Sequence, residues 1–166
     1  LDLIDNIHVV SGVSIGTLNA LCLCMKDRDL IDRSWKSLSY SKIVTKGDGP
    51  KLSDIGEVLK KIAMNKGEDI FESIDLSGLG FISQKGIRNY IKEFVDVKTL
   101  NETEIDIYSC AYNITGGYPQ YFRLNDYSEE EIIDITLGSC AVPYIFPPVL
   151  FKGNQYADGG INNPLY

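Results

Sequence analysis

Apolar positions in this chain come in short blocks whose period changes along its length. Ile7-His8-Val9-Val10 is a strand-like run, and the segment from Leu18 to Met25 is apolar without Gly or Pro, which predicts a buried helix over 17–25. The order strand, tight turn, helix is therefore set within the first 25 residues. A second helix is predicted from Asp29 to Leu38, where Leu30, Ile31, Ser34, Trp35 and Leu38 fall on one face. Lys46 to Pro50 reads as a loop. Leu52, Ile55, Val58, Leu59 and Ile62 then return to helical spacing, with Ser53 or Asp54 as cap. Gly67 to Gly80 reads as loop and short turns. Ser83 is placed to cap a helix whose apolar face is Ile87, Tyr90, Ile91, Phe94 and Val95.

Beyond that point the pattern favours strands. Glu104 to Ile114 and Tyr118 to Leu124 form a predicted hairpin, turned by Asn113 to Gly117 with Gly116-Gly117 at its tip. Asp126 or Ser128 opens a helix with Glu129, Glu130 and Glu131 in its first turn, where the helix dipole favours negative charge. Ile132, Ile133, Thr136 and Leu137 carry it towards Cys140. Val142 to Phe151 is apolar but interrupted by Pro143, Pro147 and Pro148, which predicts a stiff loop. A short strand pair around Lys152 to Tyr156 leads into Ala157-Asp158-Gly159-Gly160-Ile161-Asn162-Asn163-Pro164. Strands alternating with helices predict an α/β layered fold with a largely parallel central sheet flanked by helices. Neither a repeat nor a linker divides the chain, so residues 1–166 are expected to form a single domain.

Composition narrows the function. With 166 residues, 44% of them hydrophobic, the chain suffices for one core burying roughly 70% of its unfolded surface. A net charge of −7 and a pI near 4.7 argue against nucleic acid as a partner and against electrostatic docking on anionic membranes. No segment reaches the ~18 apolar residues of a membrane span. No signal peptide is visible and the first residue is Leu, so the true amino terminus is expected to lie outside the chain. Cys22, Cys24, Cys110 and Cys140 are too few and too scattered for a disulfide framework. They read as buried free thiols in a reducing, cytoplasmic compartment. No cluster resembles a calcium loop, and neither metal nor cofactor is expected. The sequons at Asn101 and Asn113 carry little weight without a sign of secretion.

The chemistry centres on the first turn. Gly12-Val13-Ser14-Ile15-Gly16 is the pattern of a nucleophile elbow, in which a serine on a strained strand-to-helix turn presents its hydroxyl outward. Gly12 and Gly16 are expected to let neighbouring elements approach closely. The helix that follows directs free N–H groups at the serine, and Ile15 N–H is the expected oxyanion donor. A serine nucleophile needs a base. His8 is the only histidine; it precedes Ser14 on the same strand and is expected to pack in the sheet, so a conventional triad is disfavoured. The base is left to a carboxylate or a lysine. Asp158, behind a short apolar strand and ahead of Gly159 and Gly160, is the candidate, although such a segment also suits a plain turn. Asp48-Gly49-Pro50 reads as a surface turn.

Here the chain resembles the patatin-like phospholipases. Gly12-Val13-Ser14-Ile15-Gly16-Thr17-Leu18-Asn19-Ala20 is similar to their serine motif, and Ala157-Asp158-Gly159-Gly160 to their Asp-Gly-Gly box. Ser139-Cys140-Ala141-Val142-Pro143-Tyr144-Ile145-Phe146-Pro147-Pro148 is similar to the segment preceding that box, and Asn162-Asn163-Pro164 to its ending. The resemblance covers roughly residues 7–26 and 105–166. It implies a layered patatin-like fold and a phospholipase A or related lipid acyl hydrolase. Ser14 would be the nucleophile, Asp158 the residue that orients and deprotonates it, and a lipid met transiently at a membrane surface the substrate. One departure stands out: the family's glycine-rich oxyanion loop, ahead of the serine motif, has no counterpart before Ser14, and the family's first strand is expected to be missing with it, so the piece by itself is expected to be poorly active or inactive. Val142 to Phe151 and the helix behind Ser14 serve equally as acyl-chain wall or as core. A catalytically silent member binding lipid or protein through the same groove, and an esterase using His8, are the rival readings.

Overall fold

In a computed structural model the described residues are 6–37, 83–143 and 145–161. The helical spacing of Leu52 to Ile62, the loops over 46–50 and 67–80, and Asn162-Asn163-Pro164 lie outside them. In chain order the elements are β1 (Val9–Val13), α1 (Ile15–Cys24), α2 (Arg28–Ser37), α3 (Lys85–Phe94), α4 (Val97–Glu102), β2 (Asp106–Asn113), β3 (Tyr118–Arg123), α5 (Glu129–Ser139), β4 (Val149–Phe151) and β5 (Asn154–Asp158). The expected α/β fold is present. Its sheet is mixed, with strand order β1-β2-β5-β4 and β3 also paired to β2. β1 runs parallel to β2, whereas β3, β5 and β4 join antiparallel.

The register places the site. β3 occupies one edge of β2 from Tyr108 to Asn113. β1 and β5 must therefore share the other edge. β1 covers it up to Val13 opposite Cys110, and β5 covers it from Asp158 opposite Ala111. Because β1 is parallel and β5 antiparallel to β2, their carboxyl ends meet head to head. The serine turn and the Asp-Gly-Gly turn are thus delivered to one point.

The surrounding elements follow from their residues. α1 is buried along most of its surface, with Leu18, Ala20, Leu21, Cys22 and Cys24 all inside, as its unbroken apolar run predicts. Glu131 binds both the backbone N–H and the hydroxyl of Ser128 at 2.9 Å, fixing the start of α5. Those bonds and Lys152 hold its carboxyl down at about 2. In the β2–β3 hairpin, Asn113 accepts the Gly117 N–H on its carbonyl and the Gly116 N–H on its side chain, each at 2.8 Å, and Gly117 takes φ +75°. The Asn113 sequon is therefore spent inside the turn. The four cysteines are free and buried.

Three expectations change. Val149–Phe151, read as the end of the proline-stiffened loop, is strand β4, since Pro147 and Pro148 stop just short of it. Trp35, expected on the same face of α2 as Ser34, remains 39% exposed, whereas Ser34 is buried as expected with its hydroxyl on the Ile31 carbonyl at 2.7 Å. α4, unforeseen, is a six-residue helix capped by Asp96, whose side chain accepts the Lys98 N–H at 3.0 Å.

Candidate active site

Ser14 stands between β1 and α1 at φ 55° and ψ −130°. A non-glycine residue held there costs about 1–3 kcal/mol and persists only where its surroundings fix it. Two backbone bonds do so: Thr17 N–H donates to the Ser14 carbonyl at 2.9 Å, and Ser14 N–H donates to Ser139 Oγ at 2.9 Å. Gly12 has the role expected of it. A Cβ there would stand 2.4 Å from the Gly16 carbonyl, so only glycine lets α1 fold back over β1. Gly16 does not: no described atom lies within 4 Å of where its Cβ would be. The first N–H groups of α1, at Ile15 and Gly16, have no acceptor within the helix. Its first turn also lacks an acidic residue that would offset the positive helix end.

Asp158 ends β5 and is only 6% exposed. Its N–H donates to the Ala141 carbonyl at 2.9 Å, and Oδ1 accepts the Gly160 N–H at 2.8 Å. Burial pushes its carboxyl above the usual carboxylate range, opposed by the nearby Ser14 hydroxyl and by the Gly160 N–H. Among the described residues Oδ2 is buried without a hydrogen-bond partner. Gly159 is required for a different reason from Gly160. A Cβ on it would press to 2.4 Å from the Cys110 carbonyl, so the turn lies flat on β2 only as glycine.

Ser14 also opens onto an apolar cavity of about 160 Å³. Ile15 and Leu18 line it from the elbow, and Cys140, Val142 and Phe146 from the segment after α5. Both elements read as either wall or core thus contribute residues to its lining. Ile87 and Tyr90 of α3 complete it; their apolar spacing gave them the look of plain core, and nothing local in the sequence brought them to Ser14. Beyond the cavity the Tyr90 hydroxyl lies near Ser34 and Cys22. The Cys140 thiol beside Ser14 is raised to about 12 by burial, with the Asp158 charge adding to it, so it is protonated and a poor nucleophile at neutral pH.

His8 is elsewhere. It lies ahead of β1 and is exposed rather than packed in the sheet. Six residues of extended chain at roughly 3.3 Å each put it about 20 Å from Ser14. Among the described residues no group of three or more His, Cys, Asp or Glu side chains could hold a metal ion, and no helix is long and apolar enough to cross a membrane.

A serine elbow facing a buried carboxylate beside an apolar cavity, on an α/β sheet, is an architecture suited to acyl transfer. The family model for patatin-like phospholipase matches residues 1–166, and the chain belongs to that family, which is one of lipid acyl hydrolases. VipD from Legionella pneumophila, a solved structure, is similar in fold with a TM-score of 0.54 at 18% identity, over 96% of this chain. The chain spans 41% of VipD's length. No curated protein matches it.

Proposed function

We propose that the chain hydrolyses acyl ester bonds of phospholipids or related lipids, with Ser14 as nucleophile and Asp158 as its base. The observation that carries this reading is the head-to-head meeting of β1 and β5 on one edge of β2, which brings the two residues together beside an apolar cavity. Ionised Asp158 takes the proton as Ser14 Oγ attacks the ester carbonyl. The resulting oxyanion faces the start of α1, where Ile15 N–H donates to it. Collapse leaves the acyl group on Ser14 and releases the alcohol or lysolipid, its leaving oxygen taking the proton back from Asp158. Water, deprotonated by the again ionised Asp158, then attacks the acyl carbonyl and frees the fatty acid, and the proton passes from Asp158 to Ser14 Oγ. At about 160 Å³ the cavity is smaller than the ~300–1,000 Å³ of sites that enclose a drug-sized ligand. It accommodates the carbonyl-proximal part of an acyl chain, leaving the head group at a membrane surface.

The test is hydrolysis of p-nitrophenyl esters of increasing acyl length, and of phosphatidylcholine vesicles, by the protein and its Ser14→Ala variant. Activity that rises with chain length and vanishes in the variant supports the reading. Two equally inactive folded proteins would instead favour a silent lipid- or protein-binding member.

A further inference from the structure

Ser139 ends α5 and is wholly buried, yet it makes none of the bonds usual for a serine in a last helical turn, where the hydroxyl commonly returns to its own helix. Its hydroxyl instead donates to the Cys110 carbonyl of β2 at 2.6 Å and accepts the Ser14 N–H at 2.9 Å. We propose that Ser139 is a positioning residue that holds Ser14 in its strained conformation, and that the segment Ser139–Ala141 fixes the separation of Ser14 from Asp158. This rests on the Ser14–Asp158 reading above.

Counting protons makes the arrangement specific. A serine hydroxyl has one proton and two lone pairs. With the proton committed to Cys110, both lone pairs accept, one from Ser14 N–H and the other from Thr17 Oγ1, 3.1 Å away. Thr17 must then be the donor of that pair. It accepts in turn from Ser109 Oγ, at 3.0 Å. The chain of donors runs Ser109 to Thr17 to Ser139 to the Cys110 carbonyl, with Ser139 fully satisfied. Cys110 is also the carbonyl on which Gly159 rests, and two residues after Ser139 the Ala141 carbonyl takes the Asp158 N–H at 2.9 Å. One short segment therefore grips the backbone of both residues. Thr136, one turn earlier on α5, is the natural control, since its buried hydroxyl has no partner among the described residues.

The experiment measures kcat, KM and thermal midpoint on a p-nitrophenyl ester for the protein and for Ser139→Ala, Thr17→Val, Thr17→Ser and Thr136→Val. Ser139→Ala is expected to lower kcat about 10–100-fold with KM unchanged, because the acyl cavity is intact. Thr17→Val lowers kcat, Thr17→Ser restores it, and Thr136→Val leaves it as it was. Full kcat in Ser139→Ala overturns the positioning role. If that variant fails to fold, the Thr17 pair decides, and equal kcat in Thr17→Val and Thr17→Ser overturns it. Hydrolysis lost in Ser14→Ala but indifferent to Ser139→Ala removes this inference alone. A protein that neither hydrolyses an ester nor is labelled at Ser14 by a fluorophosphonate removes the dyad and this inference together.

Discussion

Asp158 is a buried acid with one oxygen unpaired among the described residues, and its protonation links folding to activity with opposite signs. Its carboxyl is raised in the folded chain by burial, so the unfolded chain ionises first as pH rises. Between the ordinary carboxylate value and the raised one the unfolded state holds fewer protons, and the folded state loses stability across that window. Activity moves the other way, because a base must be ionised. The acid limb of kcat/KM is therefore expected above the ordinary Asp value of about 3.9, with no further essential group of histidine type. Asp158→Asn should lower kcat by about 10²–10⁴-fold and flatten the pH dependence of the urea midpoint in that window. His8→Gln should leave the pH profile unchanged, and a large loss in that variant would sink the dyad.

At the scale of elements, the two glycines flanking Ser14 make different contributions. Gly12→Ala forces a Cβ against the Gly16 backbone and is expected to destabilise by about 3 kcal/mol. Gly16→Ala meets no described atom and adds a better helix former, so a gain of about 1 kcal/mol is expected. Urea unfolding of the two variants checks the contrast. Most elements were legible because their signals are local: the capping acids of α5, the Asn113–Gly117 turn, and the unbroken apolar run of α1. α4 was not, since six residues are too few to show a period. The helical spacing put Ser34 and Trp35 on one face, but only Ser34 is buried, where a hydroxyl finding its own helix carbonyl removes the penalty of burial. For the site, Ser14 and Asp158 stood out by motif; Ser139 opened the segment similar to the one before the Asp-Gly-Gly box but carried no role there, and Ile87 and Tyr90 reach the site only through tertiary packing.

For the molecule as a whole, the cavity wall depends on how α3 is held to α5. Arg88 pairs with Glu130 and Asp134, Lys92 with Glu130, and the Gln84 amide donates to the Leu137 carbonyl at 2.8 Å. These ion pairs are partly solvent-exposed, and such pairs contribute about 0–1 kcal/mol. Ile91, 1% exposed at the centre of the same helix, contributes more. Arg88→Ala and Lys92→Ala are each expected to cost no more than about 1 kcal/mol, and Ile91→Ala about 2–5 kcal/mol, as urea midpoints would report. A larger loss in Arg88→Ala would mean that charge, rather than the apolar face, fastens the wall.

The abutment of β1 and β5 on β2 also decides where the gene can tolerate a change of length. Val13 is opposite Cys110 and Asp158 opposite Ala111, so the reacting residues are indexed against one strand. A codon gained or lost within 106–113 alters the parity of that index and turns one partner's side chain to the other face of the sheet. A codon added at the tip of the Ile114–Gly117 turn alters neither pairing. Length polymorphism should collect in such turns and be purged from eight consecutive positions of a strand that contributes no reacting group of its own.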